Sequence, residues 1–193
     1  MIKYILKFVC KNTPILKHWY RTRRTAAPLR FKYWFYQKIL GFNRSAYWPT
    51  HPSSIISGVQ NIKIGIGTAP GLSSGCYIQG LGKIEIGDYT IIAPNVGIIS
   101  ANHSLYDYTQ HERNKVKIGR YCWIGMNVVV LPGVELGDHT VVAAGSVVRN
   151  SFQEGYCVIG GNPAKIIKEL DKEKCVEKQN EWEYIGYKSV KNK

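Results

Sequence analysis

Among side chains able to move a proton near neutral pH, the chain offers five histidines, at 18, 51, 103, 111 and 139. Imidazole is the group whose unperturbed pKa suits a general base at that pH. His103 follows Asn102 at the point where an otherwise regular pattern of residues breaks off. His111 lies in the polar, aromatic stretch beyond it, residues 104–117, together with Tyr106 and Asp107. His103 is therefore the candidate base, and Asn102, Tyr106, Asp107 and His111 are candidate contacts for the molecule whose proton it takes. His139 occupies a turn position and reads as surface. The five cysteines (10, 76, 122, 157 and 175) form no C-x-x-C, so neither a disulfide framework nor a zinc ribbon is expected. Histidine spacing gives no metal site either. Cys122 has the phase of an inward-pointing residue, which argues against a covalent role.

The pattern that His103 interrupts has a period of six. Ile118, Ile124, Val130, Leu136, Val142 and Val148 are aliphatic at that spacing, and Ile86, Ile92 and Ile98 share the phase. Gly or Ala commonly follows each anchor, and a small or β-branched residue stands four positions after it. Six fits neither a helix nor an isolated strand. It fits a chain that makes a short strand, turns through about 120° and repeats, so that three sides close a coil of eighteen residues. Stacked coils pair as parallel β and bury the anchors in one column. From Ile86 to Ile118 about fourteen residues exceed one coil and must leave as a loop, 104–117. Insertions into so regular a scaffold are commonly functional. Ile62, Ile64, Ile66, Cys76, Ile78 and Ile84 predict further coils of poorer register. After Ile159, Pro163 suits the first turn of a helix, which would cover the last strand edge.

The 193 residues allow one domain and an appendage, and no apolar run reaches the ~20 residues of a spanning helix. Lys7 interrupts what would be a leader's apolar core, so secretion is not expected. Of the net charge of +13, residues 1–50 supply +11 with no acidic residue, while 51–168 carry +2 and 169–193 are neutral. The same segment is aromatic, and Ile2, Ile5, Leu6 and Val9 fall at helical spacing. It suits an anionic membrane surface, a helix packed on the body with a solvated basic face, or nucleic acid. No nucleic-acid motif accompanies the charge, and no nucleic-acid partner is expected. The expected domains are a basic helical segment (1–50), a β-coil (51–162) and a C-terminal helix with a tail (163–193).

The motifs Ile86-Gly-Asp-Tyr-Thr-Ile-Ile-Ala-Pro-Asn95, Asn102-His103, Ile118-Gly-Arg-Tyr-Cys-Trp-Ile-Gly125, Leu131-Pro-Gly-Val-Glu-Leu-Gly-Asp138, Ala144-Gly-Ser146 and Gly161-Asn-Pro-Ala-Lys165 resemble those of the hexapeptide-repeat acyltransferases. The resemblance spans about residues 55–170 and is nearest the maltose, galactoside and polysaccharide O-acetyltransferase branch. It implies an all-β fold, a left-handed parallel β-helix. Elementary chirality would have given the opposite hand. It further implies acetyl-CoA as donor, no metal, a cytoplasmic homotrimer with each site between two subunits, and His103 as base. Trp123 would wall the thiol end and Ala144 would admit the pantetheine backbone. Arg149, Asn150, Lys165 and Lys168 would meet the rest of the coenzyme, the lysines replacing family arginines without a bidentate fork.

Ser73 and Leu81 stand where the disaccharide enzymes carry an acceptor-binding Asn and Asp, so maltose and β-galactosides are not the expected acceptors. A sugar hydroxyl of a surface-polysaccharide precursor, carried on a lipid at the inner membrane face, is. The alternatives are amino-sugar N-acetylation, serine acetylation (whose long helical N-terminal domain is unmatched) and a non-catalytic β-helical module on the membrane.

Overall fold

The computed structural model describes residue 13 and residues 16–190. The chain winds into a three-sided β-coil with one sheet on each side, parallel throughout the coils. The first sheet holds β1 (Ile55–Ser57), β3 (Tyr77–Gln79), β6 (Gly97–Ile99), β11 (Val129–Val130) and β14 (Val147–Val148). The second holds β2 (Ile62–Ile64), β4 (Ile84–Ile86), β9 (Val116–Ile118) and β12 (Glu135–Leu136). The third holds β5 (Ile91–Ile92), β10 (Trp123–Ile124), β13 (Val141–Val142), β15 (Cys157–Gly161) and β16 (Ala164–Glu169).

Register confirms the period. Ile118, Ile124 and Val130 pair with Leu136, Val142 and Val148, each eighteen residues on. Ile86 pairs with Ile118 across the interruption, so the fourteen additional residues leave the stack without shifting it. All nine anchors are buried, as are Thr90, Val96, Cys122, Val128, Val134, Thr140 and Ser146 four positions after them. The glycine after an anchor is enforced by its neighbour coil: a Cβ on Gly119 would stand 2.6 Å from the Asp138 backbone N. The upstream coils are longer, Ile56 pairing with Ile78 and Ile64 with Ile86 at a separation of twenty-two.

Outward-facing residues divide the three sides by chemistry. The second sheet carries Lys63, Glu85, Lys117 and Glu135 in register, a ladder of alternating charge. The third carries Ile91, Trp123, Val141 and Val158, and the first carries Ile55, Tyr77, Val129 and Val147. At the corner between the second and third sheets Tyr89, Tyr121, His139 and Tyr156 all take positive φ. Their rings stack at 5.2, 5.1 and 4.9 Å. His139 is thus buried between two tyrosines, not on the surface as its turn position suggested.

Two expectations need correction. The C-terminal helix does not form: residues 164–169 turn back as β16, antiparallel to β15. The edge of β15 offers unpaired N–H and C=O groups along its length, and a strand satisfies them where a helix would only cover them. Beyond it come a 3₁₀ turn, Lys172–Lys174, and a small hairpin of β17 (Tyr184–Ile185) and β18 (Lys188–Ser189). The excursion is also a hairpin, β7 (Ala101–His103) with β8 (His111–Arg113), and it ends before 117. Val116 is already buried and paired with Ile84, because its side chain fills the core position that precedes the Ile118 anchor.

The described part of the N-terminal segment is helical in short pieces: α1 (Leu16–Thr22), α2 (Phe31–Trp34) and a π-helical turn (Phe35–Ile39). The apolar spacing at Ile2, Ile5, Leu6 and Val9 lies outside the described residues. This segment closes the first coil together with the β17–β18 hairpin. Trp48 is buried and donates to the Pro70 carbonyl at 2.7 Å, and the His18 Nδ1 lies 2.8 Å from the Tyr184 hydroxyl. Among the described residues no helix is long and apolar enough to cross a membrane.

Candidate active site

The β7–β8 hairpin leaves the stack at the corner between the first and second sheets, after β6 and before β9. Its pairing sets His103 directly across from His111, with ring centroids 4.4 Å apart. The His103 Nδ1 lies 2.6 Å from the Tyr108 carbonyl oxygen. A carbonyl only accepts, so Nδ1 carries a hydrogen, and in the neutral ring the lone pair is on Nε2. The residue is exposed to solvent. The hairpin therefore fixes the tautomer that a general base needs.

The remaining loop residues divide by role. Asp107 accepts from the Thr109 backbone N–H at 2.9 Å and its hydroxyl at 2.6 Å. These bonds hold its carboxyl below the usual carboxylate range and make it a builder of the turn that presents Tyr108. Tyr106 is 99% exposed, beside Leu105 and Tyr108 at the tip. Asn102 is exposed and paired with Glu112.

Of the residues assigned to the coenzyme, Arg149 and Asn150 lie two coils on at the corner from which the hairpin springs, and the others lie on or beside the third sheet. Trp123 stands exposed on β10, on the third sheet, between Ile91 and Val141. That sheet is the side of the triangle opposite the corner from which the hairpin springs. Within one chain, then, His103 and Trp123 do not meet. Ala144 is exposed at the corner after β13, where its neighbour Gly145 has open space around its Cβ position. Arg149 and Asn150 follow β14, and Lys165 and Lys168 are exposed along β16. Among the described residues none of these three cations forms an ion pair. An exposed small residue at one corner, with cations at another corner (Arg149) and along β16 (Lys165 and Lys168), fits a polyanionic thioester.

Cys122 is excluded as a nucleophile. It is 1% exposed, donates to the Gly137 carbonyl at 3.2 Å, and burial pushes its thiol up to about 12. Glu85 pairs with Lys115 at 2.8 Å. Among the described residues no group of three metal-ligating side chains converges.

A cavity of about 350 Å³ adjoins the Trp123 column. Ile91 and Ser73 line it on the coil side, and Arg30, Tyr33 and His51 on the N-terminal side. The His51 ring packs edge-on against Tyr33, and burial, with Lys32 nearby, lowers its pKa. Sequence reasoning missed Arg30, Tyr33 and His51, since nothing in their spacing announces that the segment folds back onto the coil.

Parts of the chain are similar to known proteins. Residues 115–150 match the family described as bacterial transferase hexapeptide (six repeats). A protein of Escherichia coli (strain K12) named as a candidate lipopolysaccharide biosynthesis O-acetyl transferase, WbbJ, is 38% identical over 110 residues, covering 50% of this chain and 56% of that one. The chain spans about half the length of the curated relatives it matches. A maltose O-acetyltransferase from Clostridium difficile 630 superposes with a TM-score of 0.57 at 27% identity, covering 84% of this chain and 91% of that one. A galactoside acetyltransferase in complex with coenzyme A gives 0.56 at 28% identity, covering 65% and 63%. The hand of the coil is left, as the resemblance implied. The chain carries the bacterial transferase hexapeptide repeat and shares its left-handed coil with the hexapeptide acetyltransferases.

Proposed function

We propose that the protein is an acetyl-CoA-dependent O-acetyltransferase acting on a sugar hydroxyl in surface-polysaccharide assembly. The observation that carries this reading is the His103 Nδ1–Tyr108 carbonyl contact of 2.6 Å, which places the hydrogen of the neutral ring on Nδ1 and its lone pair on Nε2. Nε2 takes the hydroxyl proton as the acceptor oxygen attacks the thioester carbonyl. The tetrahedral intermediate then collapses, the carbon–sulfur bond breaks, and Nε2–H returns its proton to the departing thiolate. His103 thus ends the cycle as it began. Trp123, Ala144, Arg149, Asn150, Lys165 and Lys168 hold the donor, and the cavity at Arg30, Tyr33 and His51 receives the acceptor.

Because His103 and Trp123 lie on opposite sides of one coil, the complete site takes them from two copies. A homotrimer supplies this arrangement three times, packing the apolar first and third sheets and leaving the charged second sheet in water. Acceptors of polysaccharide assembly are lipid-linked at the inner leaflet, and the +11 of residues 1–50 suits peripheral work there.

Thiol release from acetyl-CoA, measured with a panel of sugars, amino sugars and serine, tests the proposal. Turnover with sugars that falls ~10²–10⁴-fold in His103→Ala is the expected result. Turnover confined to amino sugars or serine would replace the acceptor class. Neither turnover nor coenzyme A binding would leave a non-catalytic β-helical module.

A further inference from the structure

The helical stretch 31–39 has its polarity reversed. Its buried residue is Gln37, 1% exposed, whose Nε2 donates to the carbonyls of Asn43, Ala46 and Trp48 at 3.0–3.1 Å. The Gln37 Oε1 accepts from the Tyr187 hydroxyl at 2.5 Å. Phe31 and Ile39, by contrast, are 54% and 57% exposed, and Phe35 is exposed between them. Spaced four apart, these three share one face. Leu40 and Phe42 extend the apolar surface. Ring contacts run through it without a gap, from Trp19 to Phe31 at 5.3 Å, Phe31 to Phe35 at 6.2 Å, Phe35 to Tyr36 at 6.3 Å, and Tyr36 to Phe42 at 6.2 Å. Folding therefore spends a polar side chain on the interior and sets aromatic and aliphatic ones outside.

Charge decides what such a surface fits. Arg24, Arg30, Lys32 and Arg44 are exposed beside it. The first acidic residue of the whole chain is Glu85. On the C-terminal segment behind the helices, Glu183 accepts from the Tyr89 hydroxyl at 2.6 Å at the coil corner. Two copies meeting through this face would bring like charge to like. An anionic bilayer neutralises the rim and takes the aromatic rings at headgroup depth.

Resting on the proposed setting at a membrane face, we propose that Phe31, Phe35, Ile39, Leu40 and Phe42, with the cations around them, form a docking surface for an anionic bilayer. The cavity lined by Arg30 and Tyr33 opens from the same stretch of chain, so docking brings the acceptor site to the plane where lipid-carried glycans lie.

The experiment is co-sedimentation of the full chain with vesicles of phosphatidylglycerol and phosphatidylethanolamine, against vesicles of phosphatidylcholine alone. At least tenfold tighter binding to the anionic vesicles, weakening as salt rises, is expected. Phe35→Glu with Ile39→Glu lowers it tenfold or more, while mass in solution and coenzyme A binding hold. Lys32→Glu with Arg44→Glu serves the same comparison if the first pair unfolds. Wild-type binding by the variants, or a loss of assembly mass marking the face as a subunit contact, overturns the proposal. Vesicle binding is read without any acyl donor, so failure of the transferase reading is seen separately, as failure to bind coenzyme A.

Discussion

At the scale of the residue, one backbone carbonyl decides what His103 can do. With Nδ1 committed to Tyr108, Nε2 is the nitrogen left for the proposed proton transfer. The sequence could nominate His103, because it stands where a six-residue pattern stops. It could not show the Tyr108 carbonyl, which is aimed by the turn that Asp107 and Thr109 build. Cys122 was legible from phase alone, and its chemistry follows. A thiol pushed up to about 12 by burial stays protonated at pH 8, where a free cysteine would already be partly thiolate. Native protein treated with iodoacetamide at pH 8 should carry no label on Cys122 by peptide mass spectrometry, and unfolded protein should be labelled there.

At the scale of the element, neighbours on a single strand do different work. On β10, Ile124 points into the column and is 0% exposed, while Trp123 points out and is 55% exposed. Ile124→Ala should cost about 2–5 kcal/mol of stability, read from denaturant midpoints. Trp123→Ala should weaken coenzyme A binding, read by titrating the coenzyme into the protein. The period-six anchors made the strands readable, since each burial repeats a local rule. The end of the coil was not readable in the same way. Ile166 and Ile167 suit either a helix or a strand, and only the unpaired edge of β15 selects the strand. Arg30, Tyr33 and His51 went unseen for a related reason: their places depend on Gln37, Trp48 and Tyr187 closing the N-terminal segment onto the first coil.

At the scale of the whole molecule, the charge asymmetry visible in the sequence becomes a spatial one, a cationic, aromatic end on a nearly neutral prism. The interruption shows how such a prism accepts novelty. Ile86 pairs with Ile118 as though the hairpin were absent, and at the hairpin's base the Asn114 N–H donates to the Ser100 carbonyl at 2.8 Å. Deleting residues 101–114 would bring Ile98 and Ile118 to a separation of six and lay Val116 and Lys117 against Val134 and Glu135. Lys115 would then fall where the next coil has Gly133, at φ +85°, so Lys115→Gly belongs with the deletion. That shortened chain should melt cooperatively by circular dichroism, keep its affinity for coenzyme A, and release no thiol above background. The chemistry is then a graft at one corner, and the stack beneath it is indifferent to what it carries.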